Sequence, residues 1–191
     1  MQNNFIIIIS LSQRSFEYLK NLKENNLIPI EIILLKKNSK NPIYNKLKAK
    51  KFFFPEKKIK IFNTDNIDND VARYLKKNKV LNIVYSGYEG KIVKNKYILK
   101  SKNIIHSHSG KLPNYKGSTT IYYSILNEKK IFCSTIILNS HIDGGNILFQ
   151  KKYPIPKNIF DIDGNYDNEI RAKNLIYTLK NYKKLTKIKN K

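Results

Sequence analysis

Runs of consecutive apolar residues alternate along this chain with segments in which apolar residues recur at helical spacing. The runs at 5–9 and 29–35 are typical of strands that are covered on both faces of a parallel sheet. Between them, residues 16–27 carry apolar positions near the helical period, and Ser12 is placed to cap this helix. The alternation predicts an α/β fold with a doubly wound, mostly parallel sheet at its centre.

The same patterns predict the remaining elements. Further strands are predicted at 59–62, 81–85, 102–106, 131–139 and 146–153, the last two antiparallel, and further helices at 65–77, 118–127 and 167–184. Residues 36–58 are rich in Lys and Asn, and we expect a loop there with a weak helix at 43–50 and an apolar cluster at 52–54. The length of 191 residues fits a single domain, with a catalytic core over about 1–156 and a C-terminal helix and Lys-rich tail over about 157–191.

The chain is strongly basic, with a formal net charge of +23. Arg occurs only at positions 14, 73 and 171, so the other 34 of the 37 basic residues are Lys. Sequence-specific binding of nucleic acid relies on Arg for bidentate contacts to bases and phosphates. We therefore expect a solvated Lys-rich surface that attracts phosphate-bearing substrates, and no nucleic-acid partner, although the charge keeps that alternative open.

The single cysteine, Cys133, cannot form an intrachain disulfide, which is typical of a reducing compartment. It lies in an apolar run, where a buried structural thiol is expected rather than a nucleophile. No segment has the apolar length of a membrane span, and residues 5–9 are too short and lack the basic leader of a signal peptide. We predict a cytoplasmic protein with no membrane partner.

The segment 104–117 is the strongest candidate for a functional site. Two apolar residues lead into His106 and His108, which as alternate residues of a strand point to the same side. The chain then passes through Gly110, Pro113 and Gly117, which indicate a loop. A strand that ends in two imidazoles and continues into such a loop is expected to build a site rather than a core.

A second segment supplies a carboxylate. Residues 131–150 predict two strands joined by a tight turn, and that turn carries Asp143. A carboxylate near an imidazole fixes its tautomer and supports its charged form, so His108 and Asp143 are a candidate acid/base pair. The His-x-His arrangement also suits a metal ion, with His141 and Asp143 as further ligands.

Two further segments are candidates for ligand contacts. Ser86, Gly87 and Tyr88 follow a predicted strand and lie at the carboxyl edge of the sheet, where open α/β sheets bind ligands; a simple glycine turn is the alternative. Free amides at the start of the first helix, with Arg14 nearby, can hold a phosphate or can merely begin an ordinary capped helix. The chain has no Gly-x-Gly-x-x-Gly, so a nicotinamide dinucleotide site has little support.

The two motifs together resemble those of the folate-dependent formyltransferases, whose usual core is Asn-x-His, then Leu-Pro, then Asp. The chain matches at His108, Leu112, Pro113, Tyr115, Lys116, Gly117, Asp143, Gly145 and Ile147. It departs at one catalytic position, where His106 stands in place of the Asn. The phrases His-x-His-x-Gly and Gly-Ser-Thr-Thr-x-Tyr-Tyr, the latter at 117–123, resemble most the branch that formylates nucleotide-linked aminosugars.

The resemblance implies a Rossmann-like formyltransferase fold with a short C-terminal helix extension, and 10-formyltetrahydrofolate as formyl donor without a metal. It implies that His108 transfers protons, that Asp143 orients it, and that His106 donates to the oxyanion, a role in which an Asn would also work. The implied cofactor-binding residues are Ser86, Gly87, Tyr88 and Ile142. The implied substrate-binding residues are Arg14, Tyr115, Lys116 and Gly117, although Tyr115 and Lys116 can instead face solvent.

The implied activity is formyl transfer to a nucleotide-linked 4-amino-4,6-dideoxysugar, by a homodimer, for the synthesis of lipopolysaccharide O-antigen or another surface polysaccharide. Glycinamide ribonucleotide transformylase, an enzyme of purine synthesis, is one alternative that fits the compact size, but that branch normally keeps the Asn. A non-catalytic basic binding module on a decayed transferase fold is another, against which the intact His108 and Asp143 argue. Methionyl-tRNA formyltransferase has an extra C-terminal domain that binds tRNA. Residues after about 156 of this chain provide only a helix and a tail, so a tRNA substrate is not expected.

Overall fold

The computed structural model describes residues 4–37 and 54–190. The weak helix expected at 43–50 and the first two phenylalanines of the apolar cluster, Phe52 and Phe53, lie outside the described residues. The third, Phe54, is buried in the main hydrophobic core, as expected for that cluster.

A seven-stranded sheet forms the centre of the molecule, and it confirms the predicted fold class. Its strands in chain order are β1 (Phe5–Ser10), β2 (Glu31–Leu35), β3 (Ile59–Phe62), β4 (Asn82–Ser86), β5 (Asn103–His108), β6 (Ile131–Ile137) and β7 (Asn146–Tyr153). Across the sheet they lie in the order β3-β2-β1-β4-β5-β6-β7. The first five strands pair in parallel, whereas β6 pairs antiparallel with β5 and β7 antiparallel with β6, as predicted.

In the part of the chain that the structure describes, five α-helices connect or cover the strands. They are α1 (Gln13–Glu24), α2 (Asp70–Lys77), α3 (Lys96–Ser101), α4 (Thr120–Glu128) and α5 (Asp167–Asn181). The sequence patterns did not predict α3, because six residues are too short to show a helical period. The helix predicted from 65 begins only at Asp70, since the Asp68 carboxylate accepts hydrogen bonds from the amides of Lys94 and Asn95 and ties the preceding turn to the start of α3.

The two faces of the sheet are both covered, which explains the continuous apolar runs. Ile7 and Ile9 of β1 belong to a core cluster with residues of α1 and α5. Ile6 and Ile8 belong to a second cluster with residues of α2 and α3. Because successive side chains of a strand point to opposite faces, a strand buried on both sides must be apolar at every position.

The C-terminal helix α5 is part of the core. Leu175 and Leu179 are fully buried in the cluster that also contains residues of α1 and β1. The Asn174 side chain is fully buried as well, and its Nδ2 donates to the Cys133 carbonyl at 2.8 Å. The helix predicted at 167–184 is therefore packed on the sheet as part of the hydrophobic core.

Two features of the composition have a structural counterpart. Cys133 is fully buried, as predicted, and this burial raises the pKa of its thiol. Beyond α5, the Lys-rich tail returns to the sheet, where the Ile188 and Ile147 backbones exchange hydrogen bonds of 2.8 and 2.9 Å. Within 4–37 and 54–190, no helix combines the length and apolarity needed to cross a membrane.

If α5 is integral to the core, removing an apolar side chain from its buried face should destabilise the whole domain. We expect Leu175→Ala to lower the free energy of unfolding by roughly 2–5 kcal/mol, because it leaves a cavity between helix and sheet. Lys173→Ala, on the exposed side of the same helix, is the control and should change the free energy by no more than about 0.5 kcal/mol. Urea denaturation followed by circular dichroism measures both. Equal effects of the two substitutions would show that α5 is not packed as described.

Candidate active site

The candidate site lies at the carboxyl edge of the parallel strands. β1 is flanked by β2 on one side and β4 on the other, so the connections from neighbouring strands leave in opposite directions at this point. Such a switch point opens a crevice in which α/β proteins bind ligands. A pocket of about 560 Å³ occupies it, which is within the usual range for small-molecule sites.

Arg14 and the end of β4 form one wall of this pocket. Arg14 Nε donates to Ser86 Oγ at 3.2 Å and Nη2 donates to the Gly87 carbonyl at 2.8 Å. Ser86 is fully buried and accepts at its carbonyl from Ser15 Oγ, so it fastens α1 to β4 and does not line the pocket. Arg14 and Gly87 do line it. Of the ligand contacts predicted in this region, Arg14 and Gly87 reach the pocket, whereas Ser86 does not because it is packed against α1.

Tyr88 and Ile142 lie on the pocket wall, where the resemblance placed them. The Tyr88 hydroxyl accepts from the Lys37 amide at 2.9 Å and donates to the Leu35 carbonyl at 3.3 Å. It thus secures the chain where β2 ends. Since the hydroxyl already has two partners, Tyr88 presents mainly its ring to a ligand.

His106 and His108 both line the pocket, as expected for alternate residues of β5. His106 Nδ1 lies 3.1 Å from the carbonyl oxygen of Tyr85. A carbonyl oxygen can only accept, so Nδ1 carries the hydrogen and a neutral His106 has a lone pair at Nε2. This hydrogen bond does not favour the predicted role of His106 as donor to the oxyanion, because the nitrogen left for a ligand has no hydrogen to donate.

The surroundings of His106 oppose its protonation. Burial lowers the pKa of His106 well below its usual value, and the positive charges of Arg14 and Arg171 lower it further. The hydrogen bond to the Tyr85 carbonyl acts in the opposite direction. The neutral imidazole is therefore the stable form of His106 at neutral pH.

His108 has a hydrogen-bond acceptor at each ring nitrogen. Its Nδ1 lies 3.4 Å from Asp143 Oδ2, and its Nε2 lies 2.8 Å from the Tyr115 carbonyl oxygen. The sequence-based pairing of His108 with Asp143 is thus present as a contact. Burial lowers the pKa of His108, and the Asp143 carboxylate opposes that effect by favouring the charged form. The two acceptors suit an imidazolium, because only this form can donate from both nitrogens.

The loop after β5 brings its backbone to His108. A Cβ at Gly110 would lie 2.5 Å from His108 Nε2 and 2.8 Å from the Tyr115 carbonyl oxygen, so this close approach requires a glycine. The Tyr115 and Lys116 side chains do not line the pocket, and Lys116 is exposed. The structure thus does not bring these two predicted substrate contacts into the pocket, because the loop turns the Tyr115 carbonyl inward instead. Gly117 does line the pocket.

Asp143 is held by contacts from three segments. Its backbone has a positive φ of 46°, which fits the predicted tight turn. Its Oδ2 accepts from the Gly117 amide at 2.9 Å as well as facing His108. Asn190, in the C-terminal tail, donates from Nδ2 to the carbonyls of Asp143 and Gly145. The carboxylate therefore has a defined position relative to the His108 ring.

A partly buried ion pair, to which the sequence patterns assign no role, lies beneath His108. Arg171 of α5 donates from Nη1 to the Ser107 carbonyl and from Nε to Asp167 Oδ2, both at 2.8 Å. Asp167 in turn accepts from the Ser109 hydroxyl. Arg171, Asp167 and Ser109 all line the pocket. A local signal for this pair is the i, i+4 spacing of Asp167 and Arg171 on a helix face that is otherwise buried.

Among the described residues, no set of metal ligands accompanies the two imidazoles. His141 is exposed at the pocket lining, in the loop between β6 and β7. Within the two described stretches, no three His, Cys, Asp or Glu side chains are grouped as a metal site.

The chain matches a protein-family model. Residues 3–175 match the family described as Formyl transferase, which covers most of the chain including all the pocket residues described above.

Curated relatives are methionyl-tRNA formyltransferases. The enzyme of Helicobacter pylori strain P12 is 30% identical over 178 residues, which are 88% of this chain and 57% of that protein. The enzyme of Buchnera aphidicola strain APS is 39% identical over 94 residues, or 47% of this chain and 29% of that protein. The chain spans about half the length of the Helicobacter enzymes, with 43% of the strain 26695 protein covered.

Solved structures confirm the fold. A 4-N formyltransferase from Francisella tularensis matches all of the chain and 74% of its own, with a TM-score of 0.69 at 15% identity. A sugar N-formyltransferase from Shewanella covers 96% of this chain and 72% of its own, with a TM-score of 0.65 at 19% identity. Glycinamide ribonucleotide transformylase 1 from Symbiobacterium toebii covers 94% and 87%, with a TM-score of 0.70 at 15% identity.

The contact between Asp143 and His108 predicts an electrostatic effect that can be measured without any substrate. We expect Asp143→Asn to lower the pKa of His108 further, because it removes the negative charge that favours the imidazolium. A titration of the His108 ring by NMR measures this pKa. The matched control is Asp70→Asn, an exposed carboxylate paired with Arg73 and not in the pocket, which should leave it unchanged. A rise in the pKa of His108 in Asp143→Asn would contradict the described contact.

Proposed function

Because the chain belongs to the Formyl transferase family, we propose that it transfers a formyl group from 10-formyltetrahydrofolate to the amine of a nucleotide-linked 4-amino-4,6-dideoxysugar. The observation that carries this proposal is the arrangement of His106, His108 and Asp143 in one pocket, with Asp143 Oδ2 3.4 Å from His108 Nδ1. Formyl transfer to an amine needs groups that move protons and groups that oppose the oxyanion of the tetrahedral intermediate. These three side chains supply both kinds.

The His108–Asp143 pair serves as the electrostatic part of this machinery. With Asp143 on one side and the Tyr115 carbonyl on the other, the imidazolium form of His108 has a partner for each hydrogen. Burial lowers the pKa of His108, so this charged form becomes favoured when the negative charge of the oxyanion develops beside it, and the two charges interact more strongly in a buried position than in water. Asp143 thus supports the charge that the intermediate requires.

The apolar part of the pocket lining suits the formyl donor. Tyr88, Val93, Leu138 and Ile142 line the pocket together with the Gly87 backbone. Such a surface can hold a flat heteroaromatic ring between side chains while backbone groups fix its orientation. This lining supports 10-formyltetrahydrofolate as the donor.

The polar part of the pocket lining supports a sugar acceptor. The segment 118–122, whose sequence resembles the sugar-modifying branch, lines the pocket. Tyr122 donates its hydroxyl hydrogen to Asp163 Oδ2 at 2.7 Å, and Asp163 also lines the pocket. Hydroxyl and carboxylate groups of this kind form hydrogen bonds with sugar hydroxyls.

Methionyl-tRNA is the second candidate acceptor, because the curated relatives at 29–39% identity carry that name. The net charge of +23 is compatible with a polyanionic substrate as well as with a nucleotide sugar. Under this second candidate the protein would bind tRNA, contrary to the expectation from the sequence that it has no nucleic-acid partner. A homodimer and a role in surface polysaccharide synthesis stay predictions of the sugar-acceptor proposal.

The proposal is tested by supplying the protein with 10-formyltetrahydrofolate and one acceptor at a time. The acceptors are nucleotide-linked 4-amino-4,6-dideoxysugars, glycinamide ribonucleotide and methionyl-tRNA, and the measurement is the rate of tetrahydrofolate release. We expect turnover with an aminosugar. His108→Asn should then lower kcat on the order of 10²–10³-fold, because an amide cannot carry the positive charge that opposes the oxyanion.

Asp70→Asn serves as the control for this series and should keep wild-type turnover, since Asp70 is exposed and outside the pocket. Turnover with methionyl-tRNA alone would replace the aminosugar by the second candidate. Turnover with glycinamide ribonucleotide alone would assign the chain to the purine branch. A folded protein that is silent with every acceptor would favour the non-catalytic binding module.

A further inference from the structure

The hydrogen bond between His106 and Tyr85 decides which nitrogen of His106 is available for chemistry. Nδ1 is directed at the Tyr85 carbonyl at 3.1 Å and must carry the hydrogen of the neutral ring. Nε2 makes no hydrogen bond to any residue of 4–37 or 54–190, and the ring lines the pocket. A neutral imidazole nitrogen without a hydrogen is an acceptor of hydrogen bonds and of protons.

The other three ring nitrogens of the histidine pair already face the protein. His106 Nδ1 is bonded to Tyr85, His108 Nδ1 faces Asp143, and His108 Nε2 lies against the Tyr115 carbonyl. His108 Nε2 also lies 3.4 Å from Thr120 Oγ1, whose own hydrogen is donated to the Ser109 carbonyl. His108 is thus surrounded by acceptors, whereas His106 alone offers a lone pair to the pocket.

We infer that Nε2 of His106 is the base that accepts the proton of the attacking amine. This inference rests on the proposed function and deepens it, since it assigns the proton acceptor in the same site. It also reverses the division of roles expected from the resemblance, in which His106 was the donor to the oxyanion and His108 moved the proton.

The reaction balances with one base. The lone pair of the neutral amine forms a bond to the formyl carbon, and the electron pair of the C=O bond moves to oxygen, which gives a tetrahedral intermediate. His106 Nε2 takes one proton from the amine nitrogen. The oxygen electron pair then re-forms the C=O bond, the bond from carbon to N10 of the folate breaks, and N10 takes the proton back from His106. The products are the formamide and tetrahydrofolate.

The charges around His106 keep it in the form that this role requires. The groups that face it are Arg14 from α1, Arg171 from α5, His108 on its own strand and Tyr85 from β4. Both arginines disfavour a second positive charge nearby, and burial acts in the same direction. His106 is therefore neutral before the amine attacks. The same charges favour return of the proton to N10.

The test compares His106→Asn and His106→Gln with the wild type, using 10-formyltetrahydrofolate and whichever amine acceptor is turned over. Both amides can donate a hydrogen bond, and neither can act as a base at neutral pH. If His106 is the base, both variants should lose roughly 10²–10⁴-fold in kcat while KM for 10-formyltetrahydrofolate changes little. Circular dichroism shows whether each variant is folded.

The pH profile supplies a readout that a merely structural role would not change. In the wild type, kcat/KM for the acceptor should rise with pH as His106 loses its proton, with an apparent pKa below the usual value for histidine. In both amide variants this ascending limb should be absent. The limb due to the acceptor amine itself is common to all three proteins and therefore serves as the internal reference.

Two results would overturn the inference while leaving the proposed function intact. One is a His106→Asn protein that keeps wild-type turnover, which would make His106 a donor or a dispensable residue. The other is an NMR measurement of the imidazole nitrogens that finds the hydrogen of His106 on Nε2. A wild-type protein that formylates no amine acceptor would instead overturn the proposed function, and the base role with it.

Discussion

The site depends on where the pairing between β4 and β5 stops. Their parallel ladder ends at Val84 and Ile105, one residue before Tyr85 and His106. The buried Tyr85 carbonyl needs another donor there, and His106 Nδ1 provides it at 3.1 Å. Pairing of β5 with β6 continues to His108, so the end of β5 that carries both histidines stays paired with β6 but no longer with β4, and the crevice opens between β4 and β5. The need of the Tyr85 carbonyl for a hydrogen-bond donor thus fixes the tautomer of His106.

The C-terminal helix connects the stability of the fold to the geometry of the site. One face of α5 is buried against the sheet through Leu175 and Leu179. Its first turns place Asp167 and Arg171 beneath the end of β5, where they bind Ser109 and the Ser107 carbonyl on either side of His108. An ion pair that is largely removed from water is costly unless its groups are hydrogen-bonded. Here the hydrogen-bond partners belong to the end of β5, which carries the histidines, and to the residue that follows it. Loss of the helix would therefore disturb both the core and the site.

The comparisons identify the family of this chain but do not identify the amine that accepts the formyl group. A match to the Formyl transferase model over residues 3–175 shows membership, whereas the solved structures at 13–20% identity show the fold alone. His106 is the feature that separates this chain from the usual Asn-x-His core. Exchanging an amide for an imidazole whose Nδ1 is engaged replaces a hydrogen-bond donor by a proton acceptor, which changes the chemistry available at that position without changing the fold.

The sequence by itself determined the features that depend on local period and turn chemistry. The apolar runs predicted the buried strands, the His-x-His spacing placed His106 and His108 on one side of a strand, and the Asp-Gly-Gly sequence predicted the turn that carries Asp143. Only the tertiary structure decided that Ser86 serves packing, that the Tyr115 carbonyl rather than its side chain meets His108, and that Arg171 reaches the site from α5. The physical reason is that a period fixes which face a residue occupies, whereas its hydrogen-bond partner depends on which distant segment the fold brings to that face.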